Sequence, residues 1–304
     1  MTRAGFVAIV GAPNAGKSTL VNALVGSKVS IVSPKVQTTR MRVIGIAMAD
    51  LPNDDRAQVV LVDTPGIFRI AKRRLERAMV AAAWQGAEDA DVVALMVDAE
   101  RGISDETRAI IERLKQSKAP RFLILNKIDL VAREKLLVLT SELNALVPFE
   151  HTFMVSALKT DGIADVLAAF ASTVPAGPFL YPEDQAADLP MRLLAAEVTR
   201  EQVFLQLHQE LPYEAAVETE KWEERGDSSV RIEQTIHVQR DGQRAIVLGK
   251  GGTKIKQIGA RARHELSVML ERPVHLFLHV KVSARWADDP AHYRAIGLDY
   301  DPKS

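Results

Sequence analysis

Residues 11–18 read Gly11-Ala12-Pro13-Asn14-Ala15-Gly16-Lys17-Ser18, a G-x-x-x-x-G-K-S pattern between an apolar run at 6–10 and a helix-period run at 18–26 that closes on a glycine. That order of strand, glycine loop and helix makes an anion site. Phosphate lies on unpaired backbone N–H groups at the positive end of a helix, where glycine lets the main chain come close. The backbone of Gly11, Asn14, Ala15 and Gly16 would form the cradle, with Lys17, Ser18 and Thr19 opening the helix. Lys17 can reach the outer phosphates of a nucleotide, and the Ser18 hydroxyl can ligate Mg²⁺.

Asp63-Thr64-Pro65-Gly66 follows the apolar run 59–62. An Asp there can hold Mg²⁺ through a water, and the Gly66 N–H can meet a γ-phosphate. Asn126-Lys127-Ile128-Asp129 closes the run 122–125. A carboxylate accepts two parallel hydrogen bonds from guanine N1–H and its 2-amino group, whereas adenine has no matching pair of donors. Asp129 therefore selects guanine and disfavours ATP, while the Lys127 stem can cover the base. Ser156-Ala157-Leu158, after the run 151–155, can offer backbone N–H groups to guanine O6. Between the first two stations lies Pro34-Lys35-Val36-Gln37-Thr38-Thr39-Arg40. A threonine here, Thr38 or Thr39, can cap Mg²⁺ while the γ-phosphate is present and let go after hydrolysis.

Such residues need a frame that brings their loops to one edge. From residue 6 to about 174, apolar runs at 6–10, 43–48, 59–62, 92–97, 122–125 and 151–155 alternate with helix-period segments. Alternation of this kind predicts an α/β domain with a doubly wound, mostly parallel sheet and ligand loops at the carboxyl ends of its strands. Pro175, Gly177, Pro178, Pro182 and Pro190, interleaved with Glu183, Asp184 and Asp188, read as a linker. The division expected is a GTPase domain at 1–174, a linker at 175–190, and a second domain with a tail at 191–304. In that second part a helix at 193–209, strands at 213–222 and 230–239, two helices around a glycine turn, and a strand at 274–282 predict a compact α+β domain.

The 304 residues suit two cores. Lys plus Arg and Asp plus Glu number 39 each, so overall charge points to no partner. The absence of cysteine excludes disulfides, thiol catalysis and Cys-based zinc sites. The early apolar stretch is too short for a signal-peptide core, and no run approaches the roughly 18 apolar residues of a membrane span, so a soluble protein is expected. His275 and His279 share a strand face but stand roughly 13 Å apart, too far for one ion.

Local charge tells more than the total. Residues 240–285 carry ten Lys and Arg against three acids, a net of +7, around the turn Gly249-Lys250-Gly251-Gly252. A Gly-x-x-Gly turn between helices admits a nucleic-acid backbone to exposed N–H groups, and Lys250, Lys254 and Lys256 supply charge. Salt-sensitive phosphate contacts are the expected consequence. In an α-β-β-α-α-β setting this resembles a type II KH domain, which clamps about four single-stranded nucleotides. Ile246, Ile255 and Ile258 would divide between core and groove.

The whole constellation resembles the Era-like family of ribosome-assembly GTPases, which join a guanine-nucleotide domain to a C-terminal KH domain. The resemblance extends to Gln37-Thr38-Thr39-Arg40, Glu210-Leu211-Pro212-Tyr213, Ala260-Arg261-Ala262-Arg263, Pro273-Val274-His275-Leu276 and Trp286-Ala287-Asp288-Asp289. It departs at Ala12, Ala15 and the ending 297–304. It implies GTP/GDP and Mg²⁺ as ligands, and binding of the single-stranded 3′ end of 16S ribosomal RNA in the GTP state with release after hydrolysis. It further implies a part in 30S subunit assembly by a cytoplasmic monomer, with peripheral inner-membrane association in some members. Many GTPases carry a water-orienting glutamine after the third motif's glycine, but here Gly66 is followed by Ile67. Asn14 matches the position at which related GTPases coordinate K⁺ in place of an arginine finger. The readings set against this one are an RNA-binding module with a non-hydrolysing nucleotide sensor and a signalling GTPase on anionic lipid.

Overall fold

The structure is a computed structural model that describes the chain except residues 34, 36, 37, 42, 68–73, 208–210, 284, 285, 287–289, 291, 292, 294–297 and 299–304. Gln37, Glu210, Ala287, Asp288 and Asp289, and all of the ending 297–304 but Leu298, thus lie outside the described residues. The chain divides into two units, one built from Met1–Ser30 and Thr39–Asp188, the other from Ile31–Thr38 and Leu189–Ile296.

The first unit holds a six-stranded sheet whose strands lie in the order 43–50, 56–63, 2–11, 92–98, 121–126 and 151–155. Its strands are β1 (Thr2–Gly11), β2 (Val43–Asp50), β3 (Arg56–Asp63), β4 (Val92–Asp98), β5 (Arg121–Asn126) and β6 (His151–Val155). All neighbours pair in parallel except β2, which is antiparallel to β3. Side chains alternate across a strand, so β1 sends Val7 and Ile9 to one face and Ala8 and Val10 to the other. Helices α1 (Lys17–Val25) and α5 (Ile163–Thr173) cover the first face through Leu20, Val21, Val166 and Phe170. Helices α2 (Arg74–Glu88), α3 (Asp105–Leu114) and α4 (Arg133–Leu146) cover the second through Trp84, Ile110 and Leu139. Strands buried on both sides read as unbroken apolar runs, which is why they were legible in the sequence.

The proline-rich stretch after α5 runs along this unit. Ala176 bridges Arg3 and Ala187 bridges Gly45. The buried Gln58 side chain accepts from the N–H groups of Leu180 and Tyr181, at 2.8 and 3.0 Å, and donates to the Tyr181 carbonyl at 2.8 Å.

The second unit contains α6 (Met191–Gln206), β7 (Ala216–Glu224), β8 (Val230–Val238), α7 (Asp241–Leu248), α8 (Thr253–Met269) and β9 (Val274–Val282). Its sheet runs β7-β8-β9, the first pair antiparallel and the second parallel. Val230, Ile232, Ile236 and Val238 of β8 pack beneath Val198 and Val203 of α6 and Ile258 and Leu266 of α8. The strand expected from Tyr213 starts instead at Ala216, after a 3₁₀ turn at Leu211–Glu214. The helix expected to reach residue 209 ends at Gln206.

Candidate functional site

β1 runs straight into the phosphate loop, and Gly16 turns it into α1 with a left-handed backbone, φ 101°. Lys17 is buried and its ammonium donates to the carbonyls of Gly11 and Ala12, at 3.1 and 3.0 Å. Burial lowers its pKa from 10.5 to about 8, opposed by the attraction of Asp63. Asn14 adopts a left-handed backbone within the loop, φ 63°.

Asp63, buried at the end of β3, gathers the hydroxyls of the site. Its Oδ2 accepts from Ser18 Oγ and Ser30 Oγ, each at 2.7 Å, and Ser18 Oγ lies 2.7 Å from Thr39 Oγ1. Burial pushes the Asp63 carboxyl pKa up, and the hydrogen bonds from Ser18 and Ser30 hold it back. Oδ1 is buried without a hydrogen-bond partner. Two hydroxyls and a carboxylate with one unspent oxygen are the hard donors that Mg²⁺ prefers. The residues present fit that ion. Thr39 joins this cluster and Thr38 does not: the Thr38 hydroxyl lies 2.6 Å from Ser33 Oγ and donates to the Lys35 carbonyl at 2.7 Å. Ser30 carries no motif in the sequence. It is placed by Asn22, whose side chain accepts from the N–H groups of Val29 and Ser30 and donates to the Ser30 carbonyl.

At the base end Asn126 ties two loops together. Its Nδ2 donates to the Ala15 carbonyl at 2.8 Å and its Oδ1 accepts from the Ala157 N–H at 3.0 Å, joining phosphate loop and Ser156-Ala157-Leu158. Lys127 has a left-handed backbone, φ 64°, and its ammonium pairs at 2.5 Å with Asp98, buried at the end of β4. Asp98 escaped sequence reasoning, although its place at a strand's carboxyl end, in register with Asn126, was a signal. Asp129 pairs with Lys159 at 3.1 Å, and the nearby Ser156 side chain and then Lys159 hold its carboxyl below the usual range. Leu158 is exposed, while Ala157 is buried. The Thr64 hydroxyl donates to the Ile9 carbonyl at 2.7 Å, and the Ile67 N–H to the Gly11 carbonyl at 3.2 Å, which brings Gly66 beside the loop. The Ile67 side chain is buried in the core with Val10 and Trp84.

In the second unit α7 and α8 meet at the glycine turn. Gly249 has φ 69° and ψ 173°, and a Cβ there would stand 2.7 Å from Lys254 Cβ and 2.9 Å from Lys254 N. Only glycine fits. Gly251 and Gly252 also have positive φ but face open space. Lys250 and Lys256 are exposed and Lys254 is half-buried, so the turn presents bare backbone ringed by ammonium groups. Ile246 is exposed before the turn, Ile255 half-buried after it, and Ile258 belongs to the core. Among the described residues no three His, Asp or Glu side chains gather as a metal site of their own, and no helix is long and apolar enough to cross a membrane.

A phosphate cradle, a hydroxyl and carboxylate cluster beneath it, a carboxylate at the base end and a KH turn define a P-loop GTPase with a C-terminal KH domain. A family model described as 50S ribosome-binding GTPase matches residues 6–127, and a KH domain model matches residues 210–287. GTPase Era of Afipia carboxidovorans is 59% identical over 98% of this chain and 95% of its own, and that of Rhizobium meliloti 60% over 98% and 94%. Two solved structures are similar at 39% identity. One is Era in complex with MgGDPNP and nucleotides 1506–1542 of 16S ribosomal RNA, with a TM-score of 0.91 over 98% of this chain and 99% of that one. The other is an alanine variant of Aquifex aeolicus Era bound to GDP·AlF4⁻, with a TM-score of 0.90 over 97% and 99%. The chain belongs to the Era GTPase family.

Proposed function

We propose that this chain is a GTP-hydrolysing switch that binds the single-stranded 3′ region of 16S ribosomal RNA through its KH domain and assists 30S subunit assembly. The observation that carries the reading is Asp129. Its carboxyl, held below the usual range by Ser156 and Lys159, is the acceptor pair that guanine requires, in a chain that also presents the KH turn. The domains proposed are 1–174 for the nucleotide and 191–304 for RNA, with 175–190 between them.

Lys17 and the N–H groups from Asn14 to Thr19 bind the phosphates, and the Gly66 N–H meets the γ-phosphate. Ser18, Thr39 and Asp63 would hold Mg²⁺, which supplies charge neutralisation between the outer phosphates. Thr39 rather than Thr38 reports the γ-phosphate, because only Thr39 reaches Ser18. Asp129 fixes the base, with Lys127 along it and the backbone of Ser156, Ala157 and Leu158 facing O6. Ile67 is buried, so no side chain at that position orients water, and Asn14 would place K⁺ where charge develops. Gly249, Lys250, Gly251, Gly252, Lys254 and Lys256 receive the RNA backbone.

Single-turnover GTP hydrolysis, with and without a short RNA from the 3′ end, tests the reading. Turnover above background supports a switch, and absence of turnover in both arms overturns it in favour of a sensor. Equal turnover in K⁺ and Na⁺ removes Asn14 from catalysis. The exposed basic turn also favours a second reading, peripheral binding of an anionic inner-membrane surface by a cytoplasmic monomer. RNA binding that persists in physiological salt and is not displaced by anionic vesicles decides against it.

A further inference from the structure

The segment Ile31–Thr38 belongs to the second unit, and α6 holds it there. The Val32 N–H donates to the Glu201 carboxylate at 2.7 Å. The Lys35 ammonium donates to the carbonyls of Phe204 and Leu207 at the carboxyl end of α6, where a cation is favoured. Arg200 donates to the Thr38 carbonyl. That guanidinium is braced one turn back by Glu197, with Nε on Oε1 at 2.7 Å and Nη2 on Oε2, and it lies 5.1 Å from the centre of the Phe204 ring. Arg200, Glu197 and Glu201 are all buried. A planar fork locked on a carboxylate can direct a charge-assisted hydrogen bond at one carbonyl in a fixed geometry, which a lysine cannot do.

The next residue, Thr39, belongs to the first unit and shares the Ser18 hydroxyl. A single peptide therefore joins the carbonyl that Arg200 holds to the hydroxyl that reaches the phosphate cluster. We propose that Arg200, braced by Glu197, is the positioning residue for Thr39, and that this clamp makes RNA binding depend on the bound nucleotide. The proposal rests on the switch reading above, in which Thr39 reports the γ-phosphate. GDP makes no demand on Thr39, so the clamp supports binding of the triphosphate and not of the diphosphate. In return, a γ-phosphate that fixes Thr39 holds the adjoining Thr38 carbonyl where Arg200 of the first helix of the RNA-binding unit meets it.

The test uses the full chain with Mg²⁺. Affinities for a non-hydrolysable GTP analogue and for GDP are measured, then the affinity of a short single-stranded RNA in each state. Arg200→Gln is expected to lose roughly tenfold in affinity for the analogue, keep that for GDP, and bind RNA equally in both states. Arg200→Lys recovers part of the difference. Lys35→Gln, which leaves the buried pair intact, lowers affinity for the analogue alone. Should Arg200→Gln fold poorly because Glu197 is left unpaired, the double variant Glu197→Gln with Arg200→Gln must show the same selective loss. Equal weakening of both nucleotides, or a nucleotide-dependent RNA affinity that survives in these variants, overturns the clamp. A wild-type chain whose RNA affinity ignores the nucleotide overturns instead the switch reading on which it rests.

Discussion

Lys17 is asked to carry charge in a place that resists it. Its pKa falls from 10.5 to about 8 through burial, while the unfolded chain keeps the ordinary value. Between those two values the unfolded state binds more protons, so the stability of the ligand-free protein rises with pH over that window, by at most about 1.4 kcal/mol per unit. Urea titrations at stepped pH should show the rise, and Lys17→Met should flatten it. Nucleotide phosphates favour the charged form, so GTP affinity should weaken as pH climbs past about 8. At the other end of the site, Asp129→Asn replaces one acceptor with a donor that opposes guanine's own. Two charge-assisted bonds at about 1.5–3 kcal/mol each predict a loss in GTP affinity on the order of 10²-fold or more, with xanthosine triphosphate gaining relative to GTP. Competition binding with the two nucleotides checks it. Ile67→Gln should not restore a water-orienting side chain. The position lies in the core beside Val10 and Trp84, so a buried amide there costs roughly 1–3 kcal/mol, and a lower midpoint of thermal unfolding without faster hydrolysis is the expected result.

At the scale of elements, the helix, glycine turn and helix of the KH unit separate fold from function within four residues. Gly249 holds a backbone conformation restricted to glycine, and a Cβ there would press on the main chain of Lys254. Gly249→Ala should therefore destabilise the unit by a few kcal/mol and lose RNA binding together with the fold. Gly251 has φ 60°, a conformation Asp tolerates, and nothing lies within 4 Å of the place a Cβ would take. Gly251→Asp should leave the unfolding midpoint nearly unchanged and still abolish RNA binding, because it sets a carboxylate where phosphate must lie. Circular dichroism melts beside RNA titrations separate the two outcomes. Much of this was legible beforehand: the glycine spacing, the apolar strand runs and their alternation with helices named the elements. What escaped was the exact boundary, as at Tyr213, where a 3₁₀ turn over Leu211–Glu214 delays the expected strand to Ala216.

At the scale of the whole molecule, a switch is a coupling free energy between two ligands. If GTP raises RNA affinity by some factor, RNA must raise GTP affinity by the same factor. Measuring both in one buffer should return equal ratios, and unequal ratios would show that the two sites are not linked by the bound states alone. Salt should act unequally. With RNA held by the exposed Lys250 and Lys256 as proposed, its affinity should fall steeply between low and physiological ionic strength, whereas base selection at Asp129 should hardly change.

Local order along the chain determined the catalogue. A phosphate loop, a carboxylate for guanine and a Gly-x-x-Gly turn need only residue type, spacing and the adjoining apolar runs, because each is built by one strand, one turn and one helix. Contacts between residues far apart in the chain were settled only in three dimensions. Thr39 rather than Thr38 meets Ser18, Ser30 shares Asp63 because Asn22 orders its loop, and Asp98 reaches Lys127 because β4 and β5 are in register. Arg200 grips a carbonyl 162 residues earlier, a partner that no spacing announces, since a main-chain acceptor has no residue type to read.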